Sequence, residues 1–223
     1  MKRSMLSYKK NNCWGEDMLK KVEFEAKTLQ DAEKQAVEAL KIQLKKIKLT
    51  VVKEKKGLFN IGSSATYEAT PNINLALEGK MYLENILQTM EIGSRMEVRT
   101  LDDGNEIHYS IDSDENALLI GREGRTLLSI QYMLRNYLNT FTDGHLIVAL
   151  DIGHYHDNRK RQLEILATKT AKEVAQTKIS VKLDPMNSFD RRIIHTKLSE
   201  WRDVITESEG EGENRALVIK PKL

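Results

Sequence analysis

One ten-residue stretch restricts the folds open to this chain more than any other: Leu118-Leu119-Ile120-Gly121-Arg122-Glu123-Gly124-Arg125-Thr126-Leu127. An apolar run meets a Gly-x-x-Gly turn, and a new amphipathic segment begins at Arg125-Thr126. Glycine at both ends of the turn removes Cβ atoms and permits close approach of another backbone. The start of the following helix offers free N–H groups and the positive end of the helix dipole, a setting that favours phosphate. By itself the tetrad is equally a tight helix-to-helix turn, so its neighbours decide its meaning.

Periodicity supplies those neighbours. From Gly79 a helix is expected, with Tyr82, Leu83, Ile86, Leu87 and Met90 inward. Strands follow at Arg95–Leu101 and Glu106–Ile111, joined by Asp102-Asp103-Gly104-Asn105, whose Asp-Gly is a hairpin signal. Asp112–Ile120 reads as a short helix. Leu127, Ile130, Leu134 and Leu138 stripe the helix after the turn, and Leu146–Ile152 is a strand. The order αββααβ, with Gly-x-x-Gly between paired helices, is that of a type II KH fold, whose loop clamps a single-stranded backbone. In that frame Gly121 and Gly124 admit the strand, Arg122 and Arg125 pair with phosphates, and Glu123 opposes them. Leu119, Ile120 and Ile130 are candidate groove residues.

Upstream, Lys20–Ala26 alternates like a half-buried strand. Thr28–Lys46 is a helix by period, with Leu29, Ala32, Ala36, Val37, Leu40 and Leu44 on one stripe and Thr28 as N-cap. Strands at Leu49–Val52 and Ala65–Thr70 complete a βαββ unit. Phe59, close to Lys55 and Lys56, either stacks on a base or closes a small core with Leu58 and Ile61. Residues 1–17 lack period. Gly15-Glu16-Asp17 can be encoded by a purine-rich run, so Met18 is an alternative start, against a merely disordered tail.

Downstream, a long helix carries Leu163, Leu166, Ala167, Thr170, Ala171, Val174 and Ala175 on one face. Ile179–Leu183 is a strand, Asp184–Ser188 a break, and Ser188–Leu198 a helix. Arg191 and His195, four apart, share a helix face. Arg191 either pairs with phosphate or with Asp190 or Asp184; His195 either contacts nucleic acid or is a satisfied helix histidine. Arg192, Lys197 and Arg215 extend the candidate patch. Val204–Thr206 and Ala216–Lys220 form a hairpin around an acidic loop, Glu207–Asn214.

The fold expected is therefore α+β, three small modules in series: a tail at 1–19, a βαββ module at 20–70, a linker at 71–78, an αββααβ module at 79–152 and an αβαββ module at 153–223. Formal net charge is only +2, so bulk charge does not announce nucleic acid. Its distribution is more telling: residues 21–56 carry 10 Lys/Arg against 6 Asp/Glu, residues 154–202 carry 11 against 6, and residues 79–152 carry 6 against 12. The last module is thus expected to supply most salt-sensitive affinity and the glycine loop to orient the strand.

No run of ~20 apolar residues suits a membrane span. The N-terminus has no secretory h-region, and the lone Cys13 cannot form an internal disulfide, which fits the cytosol. Asp151, His154 and His156 are close enough in sequence to suggest a metal-dependent nuclease, but no second ligand cluster or nucleophile–base pair accompanies them. No catalytic role, cofactor or metal is expected.

Four blocks, in order, resemble the Jag (KhpB) family. Lys56-Gly57-Leu58-Phe59-Asn60-Ile61-Gly62 is similar to its N-terminal domain, and Leu119–Leu127 with Gln131-Tyr132 to its KH domain. Leu183-Asp184-Pro185-Met186-Asn187-Ser188-Phe189-Asp190-Arg191-Arg192-Ile193-Ile194-His195 resembles its R3H domain, named for Arg-x-x-x-His. Thr206–Arg215 is similar to its ending. The likeness spans roughly residues 20–221, without the long charged linker common in the family. It implies a cytoplasmic protein that binds single-stranded RNA and regulates gene expression linked to envelope growth and division. It also implies a small single-KH protein partner and association with the YidC-type membrane insertase. An interaction scaffold with little RNA binding of its own is the alternative, and a homo-oligomer is compatible with either.

Overall fold

The computed structural model describes residues 18–55 and 64–222. Within them the chain is α+β, with three three-stranded sheets in series. It divides into two compact units: one takes in residues up to 119 and 126–152, the other residues 120–125 and 153 onward.

The first unit opens with β1 (Val22–Ala26), α1 (Leu29–Leu40), β2 (Ile47–Lys55) and β3 (Ser64–Pro71). The strand order β1-β3-β2 is antiparallel throughout. Thr28 caps α1 as expected, its Oγ1 accepting from the Asp31 N–H at 3.1 Å. The helix stops earlier than the period suggested. Lys41 turns left-handed (φ 58°) and its N–H bonds to the Val37 carbonyl, so Leu44 leaves the stripe and is exposed. Ala32, Ala36 and Leu40 are buried, whereas Leu29 and Val37 flank that face and are exposed.

The same unit continues with α2 (Leu75–Thr89), β4 (Ser94–Leu101), β5 (Glu106–Ser113), α3 (Asn116–Ile120), α4 (Arg125–Asn139) and β6 (Ile147–Ile152). β4 and β5 are antiparallel, while β5 and β6 are parallel. The expected αββααβ order is present. α2 starts at Leu75 rather than Gly79, because Asn74 Oδ1 accepts from the Leu77 N–H at 3.0 Å and caps it there. Only residues 72–74 separate it from β3. Leu83 and Leu87 are buried in α2, but Met90 is exposed. The predicted α4 stripe, Leu127, Ile130, Leu134 and Leu138, is buried in full.

Polar contacts join the βαββ and αββααβ parts of this unit. Glu78, 5% exposed, receives Lys46 Nζ and the Tyr137 hydroxyl. Burial pushes its carboxyl up, but these two hydrogen bonds and the Lys46 charge outweigh that and hold it below the ordinary carboxylate value. The Asn72 N–H donates to the Lys46 carbonyl at 2.8 Å. Leu19, assigned from sequence to the tail, is buried and bridges to Thr142.

The second unit carries α5 (Tyr155–Thr177), β7 (Val181–Lys182), α6 (Ser188–Leu198), β8 (Val204–Glu209) and β9 (Ala216–Pro221), with antiparallel sheet order β7-β9-β8. Leu163, Ala167, Ala171 and Val174 of α5 meet Ile194 and Leu198 of α6 and Leu217 and Ile219 of β9 in one core. β8 runs three residues further than sequence reading placed it. Lys220 pairs with Glu207 and with Glu209, the latter at 2.8 Å, so the acids expected in a loop lie on the strand. The αβαββ order is as expected.

Candidate nucleic-acid interface

The Arg-x-x-x-His pair of α6 is seated by β8. Asn187 caps α6, its Oδ1 accepting from the Asp190 N–H at 2.9 Å. Residues i and i+4 of a helix are separated by about 6 Å along its axis, close to the ~6.6 Å between residues i and i+2 of a strand. That match sets two contacts in register: Arg191 Nη1 donates to Ser208 Oγ at 3.0 Å, and His195 Nδ1 lies 2.6 Å from Thr206 Oγ1. Arg191 Nε also donates to the Met186 carbonyl at 3.3 Å.

Asp190, one of the two acids open to Arg191 by sequence, is taken by another residue. Asp190 is buried and receives Arg159 twice, from Nε at 3.0 Å and Nη2 at 2.9 Å. A buried carboxylate needs such a partner. Among the described residues no ion pair involves Arg191. The result is a cation and an imidazole held by neutral hydroxyls on one flank of α6, with His195 exposed to solvent. Arg192 is exposed on the adjoining flank. The Arg215 carbonyl accepts from the Met186 N–H at 3.2 Å, which brings its backbone to the residue whose carbonyl Arg191 binds. Lys197 departs from this group. It faces α5, lining a groove with Arg161, Lys169 and Lys172. Ser208 and Thr206 were not singled out from sequence. The alternation Thr206-Glu207-Ser208-Glu209 is a strand signal, but its charge reads as loop.

In the glycine loop the two glycines have different surroundings. Gly121 has φ 69° and ψ −178°, and Glu123 and Gly124 also have positive φ. The Gly124 N–H closes the turn on the Gly121 carbonyl at 3.3 Å. Gly124 is buried, and a Cβ there would lie 2.8 Å from Cε1 of Tyr155. Its missing side chain therefore makes room for a tyrosine of this chain, leaving Gly121, half-buried, as the glycine more open to a ligand. Arg122 and Arg125 are exposed, with Arg125 Nη1 3.9 Å from Glu213 Oε1. Burial raises the Tyr155 hydroxyl above its ordinary value; Arg159 lowers it, and Asp190 and Glu123 add to the rise. Leu119 and Ile130, expected to line a groove, are instead 0% and 7% exposed and belong to the core.

Lys56 and Phe59 lie outside the described residues, and Lys55 enters only as the end of β2. Among the described residues, no three His, Cys, Asp or Glu side chains gather as a metal site, and no helix is long and apolar enough to cross a membrane.

Three small sheets in series, each with its own helices, make this a multi-module α+β chain. The Jag N-terminus family model matches residues 24–70 and the R3H domain model residues 161–221. RNA-binding protein KhpB of Clostridium symbiosum is 33% identical over 199 residues, covering 88% of this chain and 90% of the relative. RNA-binding protein KhpB of Bacillus subtilis is 32% identical over 201 residues, 88% and 96% of the two chains. That of Lactiplantibacillus plantarum is 36% identical over 139 residues, 62% of this chain and 42% of the relative. The chain belongs to the KhpB family.

Proposed function

We propose that this chain is a cytoplasmic protein that binds single-stranded RNA and acts without a catalytic step of its own. The observation that carries the reading is the pair Arg191 and His195, held in register by Ser208 and Thr206. It offers a phosphate partner beside a ring that can stack or hydrogen-bond. The relatives' name, RNA-binding protein, and the R3H match support it. Arg192 and Arg215 add positive charge, while Gly121, Arg122 and Arg125 guide the strand. The family resemblance carries the finer part: a post-transcriptional regulator of envelope growth and division, acting with a small KH-domain partner and near the YidC-type insertase.

The test is ultraviolet crosslinking to RNA in cells, with wild type compared against an Arg191→Gln/His195→Ala variant shown to be folded. Crosslinking that falls several-fold supports the reading. Wild-type protein that recovers no RNA but co-purifies a KH-domain protein would favour the scaffold alternative.

A further inference from the structure

α5 presents a second basic surface. Arg161, Ile165 and Lys169 recur every four residues, so they form one ridge along the helix, and Lys172 continues it. With Lys197 of α6 they line an open groove of about 450 Å³. Four cations face a single acid there, Glu164. Lys197 enters from the flank of α6 opposite Arg191, so this groove is a different surface from the Arg191–His195 platform. Ile165 stands 63% exposed between the charges, although exposed isoleucine is not what solubility favours. An alternation of cations with an exposed apolar side chain suits a ligand with both phosphates and apolar sugar or base faces. From Arg161 to Lys172, eleven residues further on, the helix rises about 16 Å, enough for a short stretch of single strand.

We propose that this α5–α6 groove is a second RNA-backbone site, taking a further stretch of the strand bound at Arg191 and His195. The inference rests on the RNA-binding reading above. It accounts for Lys197, which does not join the R3H platform, and it gives the αβαββ module two contact surfaces.

The experiment is fluorescence anisotropy of a labelled 20-nucleotide single-stranded RNA on the full chain, from 50 to 200 mM salt. The variant is Lys169→Gln/Lys172→Gln; both side chains are exposed. Each cation bound to a single strand contributes about 0.7 to the slope of log affinity against log salt. The variant should therefore have a slope shallower by about 1.4, and Lys169→Arg/Lys172→Arg should keep the wild-type slope. Lys178→Gln/Arg202→Gln, which removes two charges outside the groove, should also keep it. Wild-type binding with an unchanged Lys169/Lys172 slope would assign the groove to another occupant, such as an acidic protein segment, and overturn the proposal alone. An equal fall in the off-groove control would also overturn it, since net charge would then explain the effect. No wild-type binding would remove this proposal and the functional reading together.

Discussion

Replacing Gly124 with alanine separates two roles of the glycine loop. A Cβ at this position meets two penalties. The backbone sits at φ +77°, where an L side chain costs roughly 1–2 kcal/mol. The new methyl would also come within 2.8 Å of Cε1 and 2.9 Å of the hydroxyl of Tyr155, an overpacking term of about 1–3 kcal/mol. Gly124→Ala should therefore destabilise the chain by about 2–5 kcal/mol in urea unfolding at pH 7. Only the second penalty depends on Tyr155. In a double-mutant cycle, Tyr155→Ala should relieve it, so the double variant is more stable than the sum of the singles by about 1–3 kcal/mol. Additivity within about 0.5 kcal/mol would refute the seating of Tyr155 on Gly124. The result also bears on function: lost RNA binding in a Gly124 variant reports on the Tyr155 contact before it reports on the strand.

Four further outcomes follow from individual contacts. Glu78→Gln should cost about 1–3 kcal/mol near pH 7 by weakening the bonds from Lys46 and Tyr137. Because the native Glu78 pKa is depressed, its contribution is complete above the unfolded value and is lost as pH falls through the folded one. The gap between wild type and variant should thus close on acidification below about pH 4, as read by thermal melts. Gly79→Ala would place a Cβ 2.1 Å from the hydroxyl of Tyr109, itself 1% exposed, so denaturant unfolding should show a loss at or above about 3 kcal/mol. Asp190→Asn should lower stability by about 3 kcal/mol, because Arg159 loses its buried partner. Thr206→Val/Ser208→Ala removes the hydroxyls that position His195 and Arg191 without removing charge; anisotropy should show affinity falling several-fold, at about 0.5–1.5 kcal/mol per bond, with the salt slope retained.

The parts of the fold that were legible in the sequence rest on apolar period and capping. The α4 stripe of Leu127, Ile130, Leu134 and Leu138 is buried throughout, and Thr28 caps α1. Misplaced boundaries have local causes. Lys41 adopts a left-handed conformation that lysine composition does not signal, so apolar period carries the first helix nearly two turns too far. Asn74 caps α2 ahead of Gly79, so the helix begins at Leu75 and Gly79 lies inside it. The Arg191–His195 pairing was visible from its spacing, but its anchors were not. Thr206 and Ser208 sit on a charged strand whose partners come from α6, far away in sequence. For the same reason the patch appeared to include Lys197. Helix phase places Lys197 on the other flank, and only the packing of α5 against α6 shows what it faces. The packing on Gly124 is not legible in the sequence because Tyr155, the side chain that fills the space, begins a separate helix.

The central claim, that the Arg-x-x-x-His platform binds RNA through charge held by β8, is tested most directly by one salt titration. Binding of a 20-nucleotide single-stranded RNA to the full chain is compared between wild type and Arg191→Gln/Arg192→Gln over 50–200 mM salt. Loss of two phosphate contacts should make the slope shallower by about 1.4 and weaken binding at every salt concentration. Wild-type binding with the same slope and affinity in the variant would contradict the account.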